Sequence, residues 1–212
     1  MAKQLPRGRH GMSPEQVAED QRQRIVAATG EVMGERGYLN TSVADIISRA
    51  GVSRETFYRL FDNKLDCFLG AFDAIATLLV DHLRIVLAEG VEASVSAYFD
   101  LLASEPRYAR LFLVEVHAVG EAAIARRAEV QQLIATSLAD ALGWDTDPGR
   151  FAATSVVAAV SAMVTGPIIS GDPAAIRGLG PKVLDHIKMI DSCGEVSTCG
   201  ESSTVERGYS PM

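Results

Sequence analysis

Residues 41–64 read TSVADIISRAGVSRETFYRLFDNK, and this stretch decides the fold. It contains two short helical patterns joined by a brief link, followed at once by the start of a third helix. The first pattern places Val43, Ile46, Ile47 and Ala50 at i, i+3, i+4 and i+7, which is the apolar stripe of one helix face. The order of helix, tight link and helix predicts a helix-turn-helix unit.

The ends of these two helices carry their own signals. Ser42 and Asp45 have the spacing of a capping box, in which a hydroxyl and a carboxylate satisfy the free backbone N–H groups of a helix start. Gly51 can adopt the left-handed conformation that ends a helix, and Ser53 can cap the next one. We therefore expect the second helix to begin directly after Ser53.

The second helix has two different sides. Phe57, Leu60 and Phe61 are spaced to bury one side against the rest of the unit. A short helix that is held on its apolar back and carries donors and cations on its front suits the DNA major groove. The residues predicted on that front are Ser53, Arg54, Thr56, Tyr58 and Arg59.

The apolar helix, the AGVS turn, the T-F-Y-R-x-F run and the following D-N-K together resemble the DNA-binding module of tetracycline-repressor (TetR) type regulators. In that family the module begins one helix earlier, and Gln23–Arg36 supplies that helix here. The resemblance covers residues 20–72 in detail and the rest of the chain in architecture only. Glu55, Leu60 and Leu65 depart from the family's common residues, and these departures bear on base preference rather than on the module.

The resemblance implies a ligand-responsive transcriptional regulator, more often a repressor, that acts as a homodimer on a pseudo-palindromic operator in double-stranded DNA. Two modules would then enter successive major grooves, roughly 34–36 Å apart. Arg54 is the best candidate for a guanine contact. Bases or the thymine methyl group are expected to face Ser53, Arg54, Thr56 and Phe57, and phosphates to be held by Thr41, Ser42, Tyr58, Arg59 and Lys64.

Length and composition agree with a helical protein of two parts. The chain has 212 residues, of which 48% are hydrophobic, and β-branched alternation is scarce. We predict an all-α chain of about nine helices. Its parts are a disordered basic arm (1–12), a three-helix helix-turn-helix domain (13–64), a helical effector-binding and dimerisation domain (65–190) and a disordered tail (191–212).

Charge is distributed unevenly along the chain. The net charge is −7, yet residues 1–64 hold ten Lys and Arg against eight Asp and Glu, whereas residues 65–212 hold ten against nineteen. Only the N-terminal third is therefore suited to an anionic duplex. The basic arm is interpreted either as an untethered terminus or as an arm that reaches phosphates or the minor groove.

Phe151–Gly171 contains no charged residue, so a membrane span must be weighed against a buried helix. Gly166 and Pro167 are expected to interrupt the helix after 15 residues, or roughly 22 Å, whereas a bilayer core needs about 30 Å. The stretch is rich in Ala, Ser and Thr, and no cluster of Lys or Arg flanks it. We interpret it as a helix buried in a protein–protein contact, with no membrane contact.

In the resembled family the last two helices of each subunit form the dimer interface. Here these helices would be Pro148–Thr165 and Pro173–Ile190, with a possible break in the second at Gly180 and Pro181. The resemblance thus implies a homodimer through residues 148–190. No signal peptide is visible at the N-terminus, and a cytoplasmic location is expected.

An effector pocket is expected among the fourth to seventh helices. Its apolar lining suggests an apolar or amphipathic small molecule. Because aromatic residues at helical spacing usually form core, the same side chains are equally compatible with simple packing. The candidates are Phe72, Tyr98, Phe99, Leu102, Phe112, Val116 and His117.

The three cysteines predict no metal site. Cys67 lies on an apolar helix face and is expected to be a buried thiol. Cys193 and Cys199 fall in the polar tail at a spacing unlike that of common zinc sites, and a disulfide between them stays open.

Other classes of protein have weak support. His82, His117 and His186 are scattered, and the chain has no HExxH, CxxC pair, Gly-rich phosphate loop or nucleophile elbow. We therefore predict no catalytic residue, no cofactor and no metal ligand. The alternatives are an α-helical small-molecule-binding or enzymatic protein whose helix-turn-helix does not bind DNA, and an interaction protein whose motif contacts another protein.

Overall fold

The computed structural model describes residues 13–198, with the side chains of residues 13–192. The predicted arm, 1–12, and most of the predicted tail, 199–212, lie outside the described residues, as does Cys199. Every regular element in the described part is helical. The elements are α1 (Pro14–Arg36), α2 (Val43–Ala50), α3 (Arg54–Leu60), α4 (Lys64–Leu87), α5 (Val91–Ser104), α6 (Pro106–Arg110), a π-helical segment (Leu111–Glu115), α7 (Val116–Val119), α8 (Glu121–Leu142), α9 (Asp147–Ser170), α10 (Pro173–Arg177) and α11 (Leu179–Thr198).

The prediction of an all-α fold is confirmed. Within residues 13–198 the helix count is nine when α6, the π-helical segment and α7 are taken as one continuous helix and the short α10 is left aside. We refer to helices α1 to α3 as the small domain and to the helices from α4 onward as the larger domain.

The small domain folds as its local signals predict. Ser42 and Asp45 form the capping box of α2, and Gly51 ends that helix in the left-handed conformation at φ 64°. The Ser53 side chain accepts a hydrogen bond from the Thr56 backbone N–H at 3.0 Å and caps α3. Phe57 is buried in the core between α1, α2 and α3.

Helix α1 is longer than the predicted Gln23–Arg36. It begins at Pro14, where Ser13 and Gln16 form a second capping box that sequence reasoning missed. Proline in the first turn costs no hydrogen bond, because the N–H that it lacks would have no helical partner there. The extra turns carry Gln21 and Arg22 to the level of α3.

The two domains pack directly on each other through α1 and α6. A Cβ atom placed on Gly34 would lie 2.5 Å from the carbonyl oxygen of Arg107, so a side chain there would push α6 away. A Cβ atom placed on Gly30 would lie 3.0 Å from a ring carbon of Tyr108. Two glycines one turn apart on α1 therefore allow α6 of the larger domain to lie close against the small domain.

The C-terminal helices differ from the prediction in three places. Helix α9 continues through Pro167 to Ser170, with the proline inside its last turn. The break in the last helix falls at Gly178 rather than at Gly180 and Pro181, which lie in the first turn of α11. Helix α11 extends to Thr198, so residues 191–198 are helical instead of disordered.

Among the described helices, α9 alone is long and apolar enough to cross a membrane by length and composition. A third of its most apolar window is buried inside this one chain. Core helices of water-soluble proteins have the same composition.

Cys67 is buried, as predicted. Its sulfur lies 2.9 Å from the hydroxyl oxygen of Thr29, and burial raises the pKa of the thiol to about 11. The thiol is therefore protonated near neutral pH and serves packing between α1 and α4.

Candidate functional site

The outer side of α3 is the first candidate surface. Phe57 has no exposed area, and its ring lies 5.8 Å from that of Phe61, so these two side chains fix the back of the helix. Arg54, Tyr58 and Arg59 point away from that core and are exposed. A seven-residue helix is thus anchored by one side and free on the other.

Arg54 and Tyr58 form a pair on the exposed side. They are one turn apart, and the guanidinium carbon of Arg54 lies 5.3 Å from the centre of the Tyr58 ring. The Arg54 Nη2 donates to the Tyr58 hydroxyl at 3.4 Å, and 46% of Tyr58 is exposed. The ring contacts the guanidinium, and only one of the guanidinium's donors bonds within the described residues, so the others remain available to a base or a phosphate.

The flanks of α3 carry further polar groups. The Ser53 and Thr56 hydroxyls lie 2.9 Å apart, and Ser53 is exposed. The Arg59 Nη2 donates to the Gln21 side-chain oxygen at 2.7 Å, which ties the end of α3 to α1. Ser42, which caps α2, is also exposed, although its hydroxyl already donates to the Asp45 carboxylate.

Two of the predicted DNA contacts are wrong. Phe57 is completely buried in the helix-turn-helix core and cannot reach a thymine methyl group. Thr41 is only 2% exposed, and its hydroxyl donates to the backbone carbonyl of Gly37 at 2.8 Å, so the side chain is closed to a phosphate. Both residues build the module instead of touching DNA.

Lys64 is only partly exposed, and its side chain bonds mainly within the protein. Its ammonium donates to the carbonyl oxygens of Tyr38 and Thr41, each at 3.0 Å, and lies 4.1 Å from the centre of the Tyr38 ring. An ammonium has three donors, so one remains for an outside partner. Lys64 at the head of α4 therefore holds the turn between α1 and α2.

The same turn is held from the other side by Glu115, which the sequence did not single out. Glu115 is 5% exposed and belongs to the π-helical segment of the larger domain. Its carboxylate accepts from the Tyr38 backbone N–H at 2.7 Å and from the Arg110 Nε at 3.0 Å. The only sequence signal is one acidic residue inside the apolar run LFLVEV at 111–116.

A cavity in the larger domain is the second candidate site. Its volume is about 110 Å³, and the surface of its walls is almost entirely apolar. Helices α4, α5, α8, α9 and α11 and the π-helical segment all contribute to it. Residues that define its extent are Leu83, Leu87, Val95, Ile134, Leu138 and Val160.

The predicted pocket residues divide into two groups. Tyr98, Phe99 and Phe112 line the cavity. Phe72, Leu102 and Val116 are buried in the core outside it, and the ring of Phe72 stacks on that of Phe112 at 4.8 Å. His117, the second residue of α7, is exposed, and its Nε2 lies 3.0 Å from Nη1 of Arg127.

Phe112 and Glu115 connect the two candidate sites. Phe112 forms part of the cavity wall, and Glu115, three residues later in the same π-helical segment, bonds the turn that precedes α2. A π-helical turn is an irregular insertion that often occurs at functional positions. The π-helical segment therefore joins the cavity wall to the turn between α1 and α2.

The outer face of α9 is a third surface. Phe151 is 74% exposed, and Ile169 and Met163 are also exposed apolar side chains on this helix. Alanines at 158, 159 and 162 separate them, and all three are exposed. Such a contiguous apolar face, rich in small residues, suits close contact with another helix.

Comparisons with known proteins agree with this geometry. Residues 25–71 match the family model described as bacterial regulatory proteins, tetR family, which confirms the resemblance seen in the sequence. The HTH-type transcriptional activator FasR of Mycolicibacterium smegmatis is 29% identical over 118 residues, 53% of each chain. The chain thus spans about half the length of that relative.

Solved structures share the fold over most of the chain. FadR of Bacillus subtilis, solved in complex with stearoyl-CoA, superposes with a TM-score of 0.66 at 21% identity, covering 77% of this chain and 95% of that one. Regulatory protein TetR of Rhodobacter sphaeroides gives a TM-score of 0.66 at 19% identity, covering 78% and 98%. At these identities the likeness establishes the fold.

Proposed function

We propose that this chain, whose residues 25–71 form a tetR-family DNA-binding domain, is a ligand-responsive transcriptional regulator that binds DNA as a homodimer. The observation that carries the proposal is the exposed side of α3, where Arg54 and Tyr58 project from a helix fixed behind by Phe57. The exposed side matches what a major groove accepts in shape and in donors.

The proposed contacts follow from what each exposed side chain can offer. Arg54 reads a guanine through its two terminal nitrogens, and Ser53 and Thr56 contact neighbouring base edges. Tyr58 and Arg59 hold phosphates on either side of the groove, and Ser42 meets a phosphate at the start of α2. Lys64 adds its remaining donor to the phosphate backbone.

A second copy of the chain is the proposed partner of α9 and α11. The exposed apolar face of α9 continues beside α11, which packs on α9 and exposes Met189. In the proposed two-fold dimer this face is buried, and the two copies of α3 face the same side, toward DNA. The operator would then be an inverted repeat with half-site centres roughly 34–36 Å apart.

Replacing Ala162 by Arg is expected to convert the dimer to a monomer, because a guanidinium would enter the closest approach of two α9 helices without a partner. Sedimentation velocity measures the change. Ala141→Arg, on the exposed end of α8, is the matched control and should leave the dimer intact. A dimeric Ala162→Arg variant would contradict the assigned interface.

The proposed effector is a molecule with a long acyl chain. The apolar walls of the cavity fit such a chain, and FadR of B. subtilis, which shares the fold, was solved with stearoyl-CoA. A ligand that prefers the conformation with the two α3 helices wrongly spaced releases DNA by shifting the population of the dimer. Phe112 and Glu115 are the proposed route of that change.

A mobility-shift assay with DNA from upstream of the chain's own gene tests the function. We expect a retarded complex that weakens steeply with salt and is released by stearoyl-CoA. Turnover of a small substrate without affinity for DNA would favour the enzymatic alternative. Binding of a protein through α3, with no DNA complex at low salt, would favour the interaction alternative.

Repression is the proposed sign of regulation, because a dimer on a promoter excludes polymerase from that DNA. Deleting the gene should therefore raise the activity of a reporter fused to the bound promoter. FasR of M. smegmatis carries the name of an activator. A fall in reporter activity after deletion would place this chain with that relative and overturn repression.

A further inference from the structure

Arg84 is the one charged residue among the described residues that line the effector cavity. It is also the only exposed residue of that lining, because every other lining residue in the described part of the chain is buried or half-buried. It lies in the last turns of α4, which ends at Leu87. The cavity therefore meets solvent beside Arg84.

The two halves of the Arg84 side chain lie in different surroundings. The cavity surface is almost entirely apolar although Arg84 belongs to its wall, so the methylene stem of the side chain faces the cavity. An arginine commonly lays its stem along an apolar surface and keeps its guanidinium in water. The charged head of Arg84 accordingly lies at the rim of the cavity.

Three polar side chains of the wall bond to other groups of the protein. The Gln131 Nε2 donates to the Ser161 hydroxyl oxygen at 2.8 Å, and the Ser137 hydroxyl donates to the Leu133 carbonyl at 3.1 Å. An ionised group that enters such an apolar space without a partner loses its hydration at a large cost in free energy. We therefore expect a charged end of a ligand to stay at the rim.

The guanidinium of Arg84 has no salt bridge or hydrogen bond to any described residue, unlike the exposed Arg177, which bonds Asp100 at 3.1 Å. Glu92, in the first turn of α5, is paired with Lys188. The donors of Arg84 are thus available to an outside anion. The planar fork of a guanidinium matches two oxygens of a carboxylate or a phosphate.

The cavity runs from this rim toward Phe112. The ring of Phe112 stacks on that of Phe72 at 4.8 Å, and Phe72 stands one α4 residue before Asp73, far ahead of Arg84 on the same helix. At 1.5 Å per residue, the stretch of α4 from 72 to 84 is roughly 18 Å long. A chain that enters beside Arg84 therefore points toward the π-helical segment, along the wall that Val80 helps to form.

We propose that Arg84 binds the anionic end of an amphipathic effector at the rim of the cavity, while the apolar chain of the ligand extends inward toward Phe112. This inference rests on the proposed function, because it takes the effector cavity as given and adds the charge and the orientation of the ligand. A carboxylate and a phosphate share the required chemistry, so both belong among the probes.

The test is direct ligand binding by isothermal titration calorimetry, without DNA, on the full chain. The four probes share a dodecyl-length chain: dodecanoate, dodecyl phosphate, the uncharged 1-dodecanol and dodecyltrimethylammonium. We expect the wild type to bind one or both anions about three- to tenfold more tightly than the alcohol, as for an ion pair at a partly exposed site. The cation should bind no better than the alcohol.

Reversing the charge at position 84 gives a result that a structural role does not. Arg84→Glu should invert the order, so that dodecyltrimethylammonium binds more tightly than the anions, and Arg84→Gln should bring all four affinities to within about twofold of one another. Affinity for 1-dodecanol reports the cavity itself and should stay at the wild-type value in both variants. Arg177→Glu, on exposed α10, changes the net charge by the same amount as Arg84→Glu and should keep the wild-type order.

The outcomes distinguish the two proposals. An anion preference that survives in Arg84→Glu, chains bound without regard to charge, loss of 1-dodecanol together with the anions, or no binding of any probe would each overturn the subsite. The mobility shift is read separately with ligand-free protein. Its absence alongside an order of affinities that inverts in Arg84→Glu would overturn the regulator proposal and leave the subsite standing.

Discussion

Replacing Arg54 by Ala is expected to reduce affinity for the bound DNA by at least about 30-fold. One guanine contact contributes about 1–3 kcal/mol, and a dimer loses it at both half-sites, for a total of about 2–6 kcal/mol. The only hydrogen bond and cation–π contact of the Arg54 side chain among the described residues are with Tyr58, so the free energy of unfolding should change by less than about 0.5 kcal/mol. Fluorescence anisotropy of labelled duplex measures the affinity.

Tyr58→Phe and Arg177→Ala are the comparison variant and the control for this prediction. Tyr58→Phe keeps the ring below Arg54 but removes the hydroxyl, so it should weaken all sequences nearly equally. Arg177→Ala removes one exposed arginine far along the chain from α3 and should leave DNA affinity unchanged. Equal losses from Arg54→Ala and Arg177→Ala would reduce the assigned guanine contact to a general effect of charge.

Replacing Glu115 by Ala is expected to uncouple the effector cavity from the DNA-binding domain. Allosteric coupling typically amounts to 1–3 kcal/mol, or about 5–150-fold in affinity, and we expect most of the effect of stearoyl-CoA on DNA affinity to disappear. The loss has a direct cause, because Glu115 bonds the Tyr38 N–H from a segment that also forms the cavity wall. Anisotropy titrations with and without the ligand measure it.

Stability should fall in the same variant. The Tyr38 N–H and the Arg110 guanidinium lose their acceptor, at a cost of about 1–3 kcal/mol in the free energy of unfolding, measurable by urea titration. Glu115→Gln keeps an acceptor for Tyr38 and should be intermediate. Glu105→Ala removes an exposed carboxylate without a capping bond and serves as control. A folded Glu115→Ala protein with the full ligand response would show that coupling runs elsewhere.

Short-range capping interactions explain why the helix-turn-helix was predictable from the sequence. The Ser42 and Ser53 caps and the left-handed Gly51 each act within four residues, so their spacing alone predicts the structure. The two errors have different origins. Helical spacing placed Phe57 on the buried side of its helix, which the structure confirms, and this excludes the thymine contact expected from the resemblance. Thr41 lies before a helix, where no periodicity applies, so its burial depends on how the turn packs.

Long-range packing accounts for what the sequence could not predict. Tyr38 and Glu115 are 77 positions apart, and nothing near either residue announces the contact. Helical periodicity predicted Tyr98, Phe99 and Phe112 in the cavity, but could not separate them from Phe72 and Leu102, which share the same apolar pattern. The contribution of α9 and α11 to the cavity walls depends on how the helices assemble.

Selection of bound sequences from a random duplex library with the purified full chain tests the central claim most directly. The account predicts enrichment of an inverted repeat whose half-site centres lie about 10–10.5 base pairs apart or at a multiple of that distance. It also predicts that Arg54→Ala relaxes the preference at a guanine in each half-site. Recovery of no enriched sequence at low salt, or of a single unrepeated site that Arg54→Ala reads equally well, would contradict it.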